Sequence, residues 1–298
     1  MVTSVAPPLT PGVHTVDVAG VVLRYHVHGA GPVCVAHPGG PGIAWEYLRA
    51  PELEKRLTMV YVEPAGTGGS GRLPGHPHGY TRALYSGHLD AVIDHLAVPH
   101  VHLLGHSHGG FVAQYHALHR PGRLAGIVLY DSAPVTGEEF GAELMRSVEQ
   151  FAARHAGHPE LAAVLEAFAA IPAIADDEAM LAAARGVLPA YIAGYWADPE
   201  RWAPLGHSLR ASYVSGLDEH GAADPVDDRE ALPALTVPAL VVAGRYDVVC
   251  GVRWAEELHK LIPGSRLVVL ERSGHFGHLE EPERFADAVA AFVTADRA

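Results

Sequence analysis

The segment Gly105-His106-Ser107-His108-Gly109 sets a serine between glycines two residues away on either side. A serine hydroxyl is a weak nucleophile at neutral pH. It attacks a carbonyl only when a base takes its proton and donors receive the charge that develops. The glycines meet a steric demand, because a serine lifted clear on a sharp strand-to-helix turn leaves no room for a Cβ beside it. Such chemistry needs an acid and then a base further along the chain. Gly244-Arg245-Tyr246-Asp247 offers a carboxylate and Ser273-Gly274-His275 an imidazole. Ser107 is therefore expected as nucleophile, His275 as general base and Asp247 as the acid that orients the histidine. Asp131 is the rival for the acid, or else a tie at the hinge of the segment that follows it. For the oxyanion, one donor is expected from the backbone N–H of His108 and another from the run His37-Pro38-Gly39-Gly40-Pro41-Gly42, with Gly40 preferred and Gly39 the alternative.

These residues need strands to position them. Val16 to Val18 and Val21 to Val27 flank Gly20 and read as an opening antiparallel hairpin. Val33 to Ala36, Met59 to Val62, Val101 to Leu104, Ile127 to Tyr130, Leu240 to Ala243 and Leu267 to Leu270 are short buried runs suited to central strands. Phe111, Val112, Tyr115 and Leu118 recur at helical spacing until Pro121 and Gly122; Phe285, Val289, Phe292 and Val293 mark a last helix that starts near Pro282. The pattern predicts a mostly parallel sheet of eight strands flanked by helices. From about Pro134 to Ala231 the alternation gives way to Ala-rich amphipathic stretches, read as a helical cap inserted after the sixth strand. The organisation expected is thus a core over 1–133, a cap over 134–231 and the rest of the core over 232–298. The cap should sit over the C-terminal ends of the strands, where open α/β sheets bind ligands.

The 298 residues carry 34 Asp and Glu against 21 Lys and Arg, a formal charge of −13 that disfavours nucleic acid and anionic lipid as partners. No basic leader with an apolar core opens the sequence, and no apolar run is long enough for a membrane span, so a soluble cytoplasmic protein is expected. Cys34 and Cys250 are too few for a disulfide framework, and one bridge between them is left open. The 21 histidines include the i, i+2 pairs His26/His28, His76/His78 and His100/His102. Without H-E-x-x-H or clustered cysteines, these read as structural or solvated residues. Neither metal nor cofactor is expected, and oligomeric state is not legible.

Over nearly its whole length the chain resembles the α/β-hydrolase superfamily, and within it the proline iminopeptidase group of serine peptidases. Pro38-Gly39-Gly40-Pro41-Gly42 resembles the group's H-G-G-P-G loop, Glu63-Pro64-Ala65-Gly66-Thr67-Gly68-Gly69-Ser70 its D-Q-R-G-x-G-x-S segment, and Gly244-Arg245-Tyr246-Asp247-Val248-Val249-Cys250 is the closest match. The resemblance implies Asp247 as triad acid and Cys250 near the pocket. Two departures stand out: His108 follows the serine where the group has an aromatic residue, and Ser212 aligns with the glutamate that grips the substrate's amine. The expected function is hydrolysis of an ester, lactone or small amide of a small-molecule or short-peptide substrate, with Ser212 and Cys250 as pocket residues. The alternatives are a proline iminopeptidase-like aminopeptidase, a carbon–carbon bond hydrolase, and a ligand receptor that retains a hydrolase pocket.

Overall fold

Ala19 and Gly20 take φ values of 52° and 87°, the backbone of a two-residue turn whose twist suits the strands it joins. They link β1 (Gly12–Val18) to β2 (Val21–Gly29). The computed structural model describes residues 7–295; positions 1–6 of the expected first core part and 296–298 of the second lie outside the described residues. With β3 (Val33–His37), β4 (Thr58–Glu63), β5 (Val101–His106), β6 (Leu124–Tyr130), β7 (Ala239–Gly244) and β8 (Arg266–Leu270), they form one eight-stranded sheet in the order β1-β2-β4-β3-β5-β6-β7-β8. β2 pairs antiparallel with both of its neighbours, and every other pairing is parallel.

The helices in chain order are α1 (Pro51–Glu54), α2 (Arg82–Leu96), α3 (His108–His119), α4 (Glu138–Arg154), α5 (Leu161–Ala170), α6 (Asp177–Gly186), α7 (Leu188–Tyr191), α8 (Pro199–Ser208), α9 (Val252–Leu261), α10 (Gly277–Glu280) and α11 (Pro282–Ala295). Neighbouring strand residues face opposite sides, so the sheet carries two apolar layers. Leu103, Ile127 and Val241 pack with Leu89 of α2, Val112 of α3 and Leu258 of α9. Leu104, Val128 and Val242 pack with Leu53 of α1 and with Phe285 and Val289 of α11. Phe285 and Val289 are 1% and 0% exposed, and burial of such side chains contributes roughly 1.5–3 kcal/mol each.

Between β6 and β7 every regular element of the 134–231 stretch is helical. Asp176 caps α6 by accepting the Ala179 N–H at 2.8 Å, and Asp198 caps α8 through the Arg201 N–H at 3.3 Å. These helices reach the C-terminal ends of the strands, where α7 supplies the carbonyl of Tyr191 to the N–H of His275 at 2.6 Å. Among the described residues no helix is long and apolar enough to cross a membrane.

Candidate active site

Ser107 lies between β5 and α3 with φ 54° and ψ −118°, a conformation that an L-residue adopts only when its surroundings enforce it. The enforcement is visible. A Cβ on Gly105 would lie 2.1 Å from the carbonyl oxygen of Gly109, and one on Gly109 would lie 2.3 Å from that of His37. The Ser107 N–H donates to the Tyr130 carbonyl at 2.9 Å, while the Ser107 carbonyl accepts the Ser132 hydroxyl at 3.0 Å and the Gly110 N–H at 2.9 Å. The backbone is pinned from both sides and the side chain is left to the cavity.

Asp247 and His275 come from the loops after β7 and β8. Gly244 lets those loops touch, since a Cβ there would sit 1.9 Å from the Gly274 carbonyl oxygen. Nδ1 of His275 is 2.8 Å from Oδ2 of Asp247, and both residues are buried. Asp247 Oδ1 also accepts the Val249 N–H at 2.8 Å. A carboxylate can only accept here, so Nδ1 carries the hydrogen and the Nε2 lone pair is available as a base. Asp131 is hydrogen-bonded differently: its Oδ1 accepts the Gly244 N–H at 2.8 Å.

The loop after β3 is held by a chain of hydrogen bonds for which its sequence carried no signal. The Gly39 N–H donates to the Tyr47 hydroxyl at 2.6 Å, Tyr47 Oη is 2.6 Å from Nδ1 of His106, and Nε2 of His106 is 2.9 Å from the His275 carbonyl. A carbonyl cannot donate, so His106 carries its hydrogen on Nε2 and accepts the Tyr47 proton on Nδ1. Burial holds that imidazole well below its usual range, with His275 and His278 adding to the shift, so it is neutral. The Gly39 N–H is thereby committed, whereas Gly40, at φ 121°, lies in the wall of the cavities beside Ser107. Desolvation, with His37 and Arg82 nearby, also pushes the His108 imidazole down to about 3.

Two cavities flank Ser107. The first, about 220 Å³, is lined by Ile171, Met180, Leu188 and Tyr191 of the insert together with His275, and no charged side chain borders it. The second, about 270 Å³, is lined by His108, Phe111 and Cys250 and is bordered by Arg82 and Asp224. Arg82 pairs with Asp228 at 2.6 Å. Ser212, expected in the pocket, belongs to the wall of neither cavity. Its backbone instead clamps the loop after β3: the Ser212 N–H donates to the Gly42 carbonyl at 2.8 Å, and the Ala44 N–H to the Arg210 carbonyl at 3.0 Å. Gly42, at φ 87°, admits this approach because a Cβ would meet the Ser212 carbonyl oxygen at 2.1 Å. Cys34 and Cys250 are both free and buried. Burial raises both thiols, that of Cys34 to about 12. Glu280, also missed from sequence, accepts the N–H groups of Gly274 at 2.8 Å and of Ala193 at 2.7 Å, tying the His275 loop to the insert.

Sheet order, the strained serine turn and the insert together define the fold, and residues 32–282 match the family described as alpha/beta hydrolase fold. The chain belongs to that family and is a hydrolase. It is 28% identical over 294 residues to a 2-hydroxymuconate semialdehyde hydrolase of Pseudomonas sp. strain CF600, covering 97% of this chain and 96% of the relative. It is 26% identical over 289 residues to a proline iminopeptidase of Saccharolobus solfataricus, covering 90% and 87% of the two chains. Among solved structures, an esterase from Exiguobacterium antarcticum superposes with a TM-score of 0.67 at 25% identity, over 95% of this chain and 99% of that one.

Proposed function

We infer that this protein is a serine hydrolase that cleaves an ester, lactone or small amide through an acyl-enzyme on Ser107, with the 134–231 stretch as its cap. The observation that carries the reading is the buried 2.8 Å contact of Asp247 with His275, whose ring borders the same cavity as Ser107 on its strained turn. In this reading His275 Nε2 takes the hydroxyl proton as Ser107 Oγ attacks the carbonyl carbon. The N–H groups of Gly40 and His108 receive the oxyanion. The imidazolium then protonates the leaving group, and a water activated in the same way releases the acid. Asp247 keeps Nδ1 as donor throughout and stabilises the imidazolium.

A fluorophosphonate probe tests the assignment. The wild-type protein is expected to become labelled on Ser107, and Ser107→Ala to lose labelling and about 10⁶ in kcat. An alanine variant that keeps more than about a tenth of wild-type turnover would remove Ser107 from the chemistry. Ligand binding with no labelling would favour a receptor.

One observation supports a second reading. Asp224 borders the cavity on the Cys250 side and offers a carboxylate to a free amine, as an aminopeptidase of the iminopeptidase type requires. It counts for less than the neutral lining of the other cavity, because Asp224 is exposed and its Oδ2 already accepts the Arg82 N–H at 3.1 Å.

A further inference from the structure

A second carboxyl group converges on the same histidine. Asp131 follows β6 with φ 46° and is 0% exposed. Its Oδ1 accepts the Gly244 N–H at 2.8 Å, while Oδ2 is buried without a hydrogen-bond partner. An ionised carboxylate oxygen in that position is costlier than a neutral carboxyl. A carboxyl oxygen of Asp131, a ring nitrogen of His106 and a ring nitrogen of His275 all lie within 4.8 Å of one another. Both nitrogens of His106 are already used, by Tyr47 and by the His275 carbonyl. His275 is therefore the partner left for Asp131 to serve.

We propose that Asp131 is a stand-by acid: a positioning residue that rests as a neutral carboxyl beside Asp247 and takes over the orientation of His275 when the Asp247 carboxylate is removed. The inference rests on the triad assigned above. Two buried carboxylates facing one imidazole cannot both stay ionised. Asp247 is the carboxyl served by two donors, the His275 Nδ1–H and the Val249 N–H. Asp131 has one backbone donor, and burial together with the neighbouring Asp247 charge raises its carboxyl well above the usual range. A protonated Asp131 brings a hydroxyl donor beside the Asp247 carboxylate, which raises it. Neutralising Asp247 removes the repulsion; the Asp131 proton then leaves to solvent, and the new carboxylate faces His275.

Other titratable groups surround this centre without supplying the anion. Tyr47, Tyr130 and Cys250 are held neutral by burial, and so is His106. Glu280 is raised by burial to about 7 and is committed to backbone N–H groups of its own loop and of the insert. The Asp247 charge adds to its shift, so the pH profiles below are also run with Glu280→Gln as a common background, where differences among variants report on the two aspartates.

The test is a double-mutant cycle on a p-nitrophenyl ester, with rates expressed per fluorophosphonate-labelled site so that misfolded molecules are not counted. Asp131→Asn, whose amide keeps an acceptor for Gly244 and a donor toward Asp247, is expected to lower kcat about threefold, and Asp247→Asn about 10²-fold. The double variant should fall about 10⁴-fold, the loss expected of a triad with no acid and well beyond the product of the single effects. A purely structural role for Asp131 would not move the acid limb of kcat/KM. An adjacent carboxylate favours the imidazolium, so the limb of Asp247→Asn is expected to stay near the wild-type position and that of the double variant to shift about one unit or more toward acid. Multiplicative losses, or an Asp247→Asn limb already shifted as far as the double variant's, overturn the proposal. Should the double fail to fold, an Asp247→Asn limb displaced by about one unit or more from the wild-type position overturns it on the single variant alone. Wild-type protein that resists the probe would instead overturn the triad reading.

Discussion

At the scale of single residues, the site depends on hydrogens having one place to go. Tyr47 is the clearest case, because its hydroxyl accepts from the Gly39 N–H and donates to His106, both at 2.6 Å. Tyr47→Phe removes both partners at once. It leaves a backbone donor in the loop beside Gly40 and an imidazole nitrogen unsatisfied, each costing about 1–3 kcal/mol when buried. The expected outcome is a lower midpoint in urea unfolding and a kcat reduced about tenfold at nearly constant KM, since the loop donor is displaced rather than the substrate surface. An unchanged kcat would show that the function of the loop after β3 does not depend on this anchor.

At the scale of elements, the most exposed dependency is the tie from α10 to the insert. Glu280 accepts from Ala193 in the insert and from Gly274 in the His275 loop. Burial raises its carboxyl from 4.5 to about 7, and the backbone donors only partly oppose that shift. Its folded pKa lies above its unfolded value, so its contribution to stability is fully present below about 4.5 and is lost as pH rises through about 7. Denaturation at pH 5 and pH 8 should show this loss in the wild-type protein, and Glu280→Gln should flatten it while loosening the Ala193 contact. An equal pH dependence in both proteins would assign the slope to other groups.

What could be read in advance followed from local pattern. The buried runs of β4, β5 and β7 are continuous and apolar, and the glycines around Ser107 answer a steric demand that sequence states directly. The edge strand β1 begins at Gly12, four residues before the expected run, because Val13 faces solvent at 59% exposure and its neighbours are polar. Pairing with β2 extends that strand more than its own composition suggests. Tyr47, His106 and Glu280 gave no signal because each has a partner far along the chain, as in the contacts of Tyr47 with His106 and of Glu280 with Ala193. His106 reaches the carbonyl of His275 across a separation of 169 positions. Alignment with an amine-binding position points Ser212 at the pocket, whereas the contact seen is that of its backbone N–H with the Gly42 carbonyl, which side-chain type does not signal.

For the molecule as a whole, the arrangement of sheet and inserted helices divides the space at Ser107 into a neutral apolar chamber and one bordered by a paired arginine and an exposed acid. A prolyl amine is protonated at neutral pH, and desolvating an unpaired ammonium costs several kcal/mol. The protein is accordingly expected to show a higher kcat/KM for uncharged acyl esters or lactones than for prolyl amides of equal leaving-group reactivity. A preference of about tenfold or more for the free-amine substrate, abolished by Asp224→Asn, would move the function to the aminopeptidase reading.

The short ladder that joins Gly42 and Ala44 to Arg210 and Ser212 also bears on how such proteins diversify. Recombination that exchanged 134–231 as a cassette would bring in a new pairing partner for the loop after β3 along with new cavity walls. A donor segment with any register other than that of the Ile43–Ala211 bridge would leave Gly42 facing the wrong atom. The loop after β3 and the inserted segment are thus mechanically joined, and side-chain replacement within the insert should preserve this ladder where wholesale transplantation would break it.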